Sequence, residues 1–443
     1  MKVGFTSIAV VLGALSCGNR VIDNDRVRAT DPTAPTSIVA TVSSVPDAGA
    51  AWRDAGEARP DAGTAVACAR GATSAATQSW RRSFGDNDVL ELASVASDSE
   101  GAALIAMPGG ASKFDASGTL VWSKPFGALV ATNVTGDAYV AGTFSGTSDL
   151  GGGAVNAPDG TDAYVVKLDS EGAVIYSVVL GGAAEANATG LAVDLDGNAF
   201  VSGPGLGTVK LDATGRQLWG HPLSGHIAVD SQGNVLVTGG LTGTATFGNE
   251  TLESAGGQDV FLAKLDGDGN FLFANRYGDA GLAQYGEAVA VDPSDDILVS
   301  GVIDGSVDFG DGPLGVPAGT CSSETWCAQA GFVAKFDPSG RHLWSRARAP
   351  IRTLPGIASD SRSNVLVSGA YPGNAPPYRL PLLLEFTSAG ADLTPSNQPN
   401  WALEAAGAGR GVTFDPCDNV LWGLSLSPAP GANGQSLLAK FSF

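Results

Sequence analysis

Basic residues are scarce and nowhere clustered: 25 Lys and Arg stand against 45 Asp and Glu, a formal net charge of −20 over 443 residues. Gripping phosphates needs a basic patch, so nucleic acid is excluded as a partner. Long apolar runs are as rare. Val3–Leu15 follows Met1-Lys2, carries no charge, and is too short to span a bilayer. That anatomy is a secretory signal, expected over residues 1–16. No second run approaches membrane-spanning length. The five cysteines, Cys17, Cys68, Cys321, Cys327 and Cys417, form no Cys-x-x-Cys pair and have no ligand histidines nearby. Zinc therefore has no ligand set, and no cofactor or metal is expected.

What the chain has in plenty is glycine, at 61 residues, with hydrophobic residues at 44% and charged ones at only 16%. Many tight turns between short strands follow from that balance. Residues 17–75 differ from the rest. They are rich in Ala, Pro and Asp, and Pro46-Asp47-Ala48-Gly49 recurs as Arg53-Asp54-Ala55-Gly56 and Pro60-Asp61-Ala62-Gly63. Little there buries surface, so a disordered tether is expected.

From Trp80 the chain repeats itself. One phrase is an apolar strand, Lys, Leu or Phe, Asp, two residues, Gly, then an aromatic. It reads Lys113-Phe114-Asp115…Gly118…Trp122, and recurs from Lys167, Lys210, Lys264 and Lys335. A degraded copy begins at Glu385, and Lys440-Phe441-Ser442 runs into the C-terminus. A second phrase alternates with it: a strand ending at Asp98, Asn133, Asp194, Asp230, Asp292, Asp360 or Asp415, a turn, and a strand ending in Gly. Seven copies over Trp80–Phe443 give about 50 residues and four strands per unit, the period of a β-propeller.

In each unit, strand A ends at that Asp, B follows the turn, C carries the Lys, and D the aromatic. Two residues before the Asp stand Ala96, Ala131, Ala192, Ala228, Ala290, Ala358 and Thr413, a small face expected to line the crowded axis. One D strand, Trp80–Phe84, has no unit before it, and one C strand, Leu437–Phe441, has no D after it. The fold expected is all-β: residues 76–443 form seven four-stranded antiparallel blades, closed by pairing 80–84 with the last blade.

Asp162-Ala163-Tyr164-Val165-Val166-Lys167-Leu168-Asp169, then Gly181-Gly182, then Gly190 to Gly203 resemble the SBBP β-propeller repeat of bacterial surface proteins. The resemblance implies fold and surface location but no reaction. Ala14-Leu15-Ser16-Cys17-Gly18 resembles a lipoprotein lipobox, with Ala14 where Leu is usual. It implies lipid on Cys17 and an outer-membrane or cell-surface lipoprotein; Ala14 and Ser16 also suit ordinary signal peptidase, and hence a periplasmic or secreted protein.

No catalytic constellation emerges. The Asp-x-x-Gly-x-x-x-Trp spacing is one residue short of the quinoprotein docking repeat and one longer than the sialidase Asp-box. Asp is read instead as a turn acceptor and the aromatic as packing on the next blade. Asp194–Asn198 and Asp266–Asn270 lack the further ligands of a calcium loop. The strand-C lysines recur too often for a unique site and are expected to pair with acids on neighbouring strands. His226 sits alone on an inner strand. With Cys17 lipidated, four cysteines remain in an oxidising compartment. Cys321–Cys327 would close a small loop. Cys68–Cys417 would join the start of the closing D strand to the A–B turn on the same face. The B–C loops differ most between blades, and Trp326 beside Cys327 is an anchor candidate there. The function expected is a non-catalytic envelope module, binding or structural, for an unknown envelope protein or glycan, with membrane contact through the lipid alone. The alternative is a polysaccharide lyase or glycosidase on the same scaffold.

Overall fold

The computed structural model describes residues 41–43, 77–84, 94–181, 185–280, 283–315, 329–372, 379–394, 407–426 and 435–442. Seven antiparallel sheets form the blades of a propeller. Their inner A strands are Ser94–Ser97, Leu129–Thr132, Gly190–Val193, His226–Val229, Gln284–Val291, Thr353–Ser359 and Gly407–Phe414, numbered as blades 1 to 7 in that order. Blade 3 shows the plan: Gly190–Val193, Ala199–Gly203, Gly207–Leu211 and Gln217–His221 neighbour one another as A, B, C, D. Its hairpins turn on Gly197 at φ +79° and Gly215 at φ +87°, a region glycine enters without steric cost. Among the described residues, blade 6 shows three strands and an isolated bridge from Phe386 to Asp392.

The ring closes as expected. Strand D of blade 7 is Thr77–Phe84, from the other end of the described propeller, paired antiparallel to Gln435–Ser442. The register matches the intact blades. Trp80 lies opposite Lys440, as Trp122 lies opposite Lys113, Tyr176 opposite Lys167, and Trp219 opposite Lys210. A register shift follows the pair in each case, so the bulge belongs to the repeat.

The small face of strand A does not line the axis. Ala96 packs in one cluster with Val130 of the next blade, Ala131 with Leu191, and Ala192 with Ile227. Ala228 meets Val289, Ala290 meets Ile357, and Ala358 meets Val412. These six seams therefore set a small residue of one inner strand against a β-branched or Leu residue of the next. Blades are wedges, and their narrow inner ends approach too closely for two large side chains.

The long B–C insertions are extra hairpins. In blade 2 strands B and C lengthen to Ala138–Asp149 and Ala154–Leu168, and in blade 4 to Val235–Phe247 and Glu250–Leu265. Blade 5 adds a separate hairpin, Ser306–Asp308 with Pro313–Gly315. Their apolar residues pack down: Leu150, Phe247 and Phe309 are buried and Phe144 packs on the core that holds Leu150. They plug the seams to the preceding blade; the Phe309 ring lies 5.0 Å from Tyr277 of blade 4. Finally, Thr41–Ser43 adds a fifth strand to blade 2, outside its strand D, Val174–Leu180.

Candidate functional site: the axial mouth

Every A–B turn is built by one side chain. Asp194 Oδ1 accepts the N–H groups of Asp196 at 3.0 Å and Asn198 at 2.8 Å. Asp98, Asp230, Asp292, Asp360 and Asp415 bond their own turns alike. The other carboxylate oxygen faces the strand-C lysine: Lys113–Asp98 at 2.9 Å, Lys264–Asp230 at 2.9 Å, Lys440–Asp415 at 2.7 Å, and Lys210–Asp194 at 3.9 Å. Lys335 holds both Asp292 and Asp296; burial alone would lower its pKa, but the two carboxylates outweigh it and raise it. Blade 2 has Asn133 at the turn, and Asp137 takes Lys167 instead, at 3.1 Å. Blade 6 breaks the pattern with Glu385. The lysines thus pair with acids, as expected from their recurrence, but these acids sit at the A–B turn rather than on the neighbouring strands.

The C–D turns repeat the device. Asp266 Oδ1 accepts from Asp268 and Asn270, so this oxygen-rich loop spends its first carboxylate on its own backbone. Asp337 does the same; partial burial opposes ionisation, but bonds from Ser339 and Arg341 bring its pKa down to about 2. No group of three or more potential metal ligands occurs among the described residues. In every blade but blade 6, the strand-D aromatic lies on the next blade's turn glycine. A Cβ on Gly172 would stand 2.7 Å from Trp122, and one on Gly269 3.1 Å from Trp219. The indole N–H groups of Trp80, Trp219 and Trp344 donate to Ala116, Gly267 and Ser388 of those turns.

Where the seven A–B turns converge, they ring an open axial cavity of about 590 Å³. One ring of its wall stands just before the turn Asp: Ser97, Thr132, Val193, Val229, Val291, Ser359 and Phe414. A second ring stands just after it: Ser99, Val134, Leu195, Ser231, Pro293, Ser361 and Pro416. Val134 and Leu195 are more than half exposed there. Two clasps brace the rim. Asp295 accepts from the Ser231 N–H at 2.9 Å and hydroxyl at 2.6 Å, and Asp418 bonds Ser361 likewise at 2.9 and 2.7 Å. Asp295 and Asp418 occupy the turn-glycine position at φ 62° and 60°, which Asp tolerates better than most residues. Among the described residues no Lys, Arg, His, Cys or Glu side chain lines the cavity, and its carboxylates are engaged by turn or rim donors. The arrangement can seat a ligand through hydroxyls and aliphatic surface.

The B–C loops, whose variation between blades makes them the expected partner surface, lie on the opposite face. The missed signal was position-by-position variation just after each turn Asp, where Ser, Val, Leu and Pro alternate beside repeated Asp and Gly. Cys17, Cys68, Cys321, Trp326 and Cys327 lie outside the described residues. Cys417 sits in the A–B turn of blade 7 and is disulfide-bonded. His226 begins the inner strand of blade 4, where burial pushes its pKa down to about 3. His221 packs edge-on between Trp219 and Phe271, and His342 bonds Ser345. The three histidines lie on different strands and none reaches the mouth.

No protein-family model matches the chain. The "Uncharacterized WD repeat-containing protein L264" of Acanthamoeba polyphaga mimivirus is 25% identical over 183 residues, 37% of this chain. The chain matches only 12% of that relative's length. Among solved structures, the WD40 domain of Neurospora crassa Pan2 is similar at TM-score 0.44 and 10% identity, covering 82% of this chain and 95% of that one. YCF48 bound to D1 peptide is similar at TM-score 0.43 and 9% identity, covering 82% and 97% respectively.

Proposed function

We propose that this protein is a non-catalytic binding or structural module of the bacterial envelope, seating an envelope protein or glycan in the axial mouth. One observation carries the reading: the charged side chains that the sequence repeats are spent on turns and seams, while the cavity wall offers hydroxyls and aliphatic surface. Acid–base chemistry on a glycan needs an uncommitted pair of carboxylates, and the mouth holds its own in turn and rim bonds. In this reading residues 1–16 are removed, Cys17 carries lipid, 17–75 links the propeller to the membrane, and Cys68–Cys417 and Cys321–Cys327 are disulfides.

The test is capture from envelope extract by the purified protein, compared with the double variant Val134→Asp, Leu195→Asp. Both positions are exposed, so folding should be retained. The expected result is a captured component whose recovery falls at least tenfold with the variant. Equal recovery, or cleavage of envelope polysaccharide by the wild-type protein, would overturn the reading. In the same preparation Cys17→Ala should move the protein to the soluble fraction; unchanged membrane association would remove the lipid from the account.

A further inference from the structure

The outer rim of a propeller is a ring of edge strands, each with unpaired backbone groups that invite another strand. Here the rim strands differ in how they discourage it. Blades 1, 4, 5 and 7 place Lys or Arg on strand D: Lys124, Arg276, Arg346 with Arg348, and Arg81 with Arg82. Blade 3 has a short strand interrupted by Gly220. Strand D of blade 2 has none of these devices. It reads Val174-Ile175-Tyr176-Ser177-Val178-Val179-Leu180, with no charge, Gly or Pro and four β-branched residues, and Ile175 is exposed.

The chain supplies a strand of matching chemistry. Between Asp31 and Asp47 the Ala/Pro/Asp-rich segment has no charged residue, and Ser37-Ile38-Val39-Ala40-Thr41-Val42-Ser43-Ser44-Val45 is rich in β-branched residues between Pro35 and Pro46. Thr41–Ser43 pairs antiparallel to the bare edge, with Val42 opposite Val178 and Thr41 opposite Val179. Residues 44–76 reach about 110 Å when extended, ample to run from blade 7 to the rim of blade 2.

We propose that the outer edge of blade 2 is a strand-accepting site whose occupant is the chain's own segment around Thr41–Ser43. Main-chain bonds supply the attachment, and the absence of charge on both partners makes this edge the acceptor. Docking shields this uncharged rim strand from pairing with other chains.

The test uses the full chain with Val42→Cys and Val178→Cys, mildly oxidised and mapped by non-reducing peptide mass spectrometry. A 42–178 link within one monomer is expected, and none in a control pairing Val42→Cys with Leu218→Cys on blade 3. A link found only between two chains would overturn the proposal in favour of exchange between copies; no link would overturn it outright. Should the cysteine variants misfold, Val42→Pro provides the second measurement. Amide exchange in Val174–Leu180 should accelerate at least tenfold while Gln217–His221 is unchanged, and unchanged exchange in both would overturn the proposal.

Discussion

Asp360 makes the same turn bonds as its counterparts, yet the strand-C residue of its blade is Glu385 where the others have lysine. Burial, and then the charge on Asp360, push the Glu385 pKa up. The folded state therefore holds this proton more tightly than the unfolded chain, and stability declines as pH rises from the ordinary carboxylate range through the raised value. Glu385→Gln removes the charge without changing the shape. It should raise Tm by roughly 2 °C at pH 7 and leave it unchanged near pH 4, where Glu385 is already protonated. Calorimetry at the two pH values checks this, and equal Tm at pH 7 would contradict it. That the lysines pair with acids was legible from their recurrence. That blade 2 moves its acid from the turn residue to Asp137 was not, because the exchange depends on a side chain four residues after Asn133 reaching the same ammonium group in space.

At the scale of strands and turns, the glycine of Lys-x-Asp-x-x-Gly has two duties. It takes a positive φ, and it leaves room for the preceding blade's aromatic. Gly172 and Gly109 separate them: Gly172 has φ +90° with Trp122 on its face, while Gly109 has φ +88° and nothing within 4 Å of an added Cβ. Gly109→Ala should cost about 1 kcal/mol, the backbone penalty alone. Gly172→Ala should cost about 2–4 kcal/mol, since the indole must also shift. Urea denaturation of both variants measures the difference, and equal losses would show that the aromatic does not set the turn. The turn Asp, the hairpins and the aromatic on the next blade were readable from spacing. The direction of the alanine face was not, because alternation along a strand names two faces without saying which neighbour each meets.

For the molecule as a whole, the mouth exists only if the ring is closed, since all seven A–B turns wall it. Closure was legible in the leftover D and C strands at the two ends of the repeat. The mouth was not, because no single turn is concave and the cavity arises only when seven converge. The account rests on the closing strand, and one comparison tests it: urea denaturation, followed by Trp fluorescence, of the wild type and of Arg81→Pro, Arg82→Pro. In an antiparallel edge strand one of two consecutive N–H groups points into the sheet, so this pair must break a bond to Leu438 or its neighbours while leaving Cys68 and Cys417 untouched. A closed ring predicts a loss of more than about 2 kcal/mol for the whole domain. An unchanged midpoint would show that Thr77–Phe84 does not close the propeller.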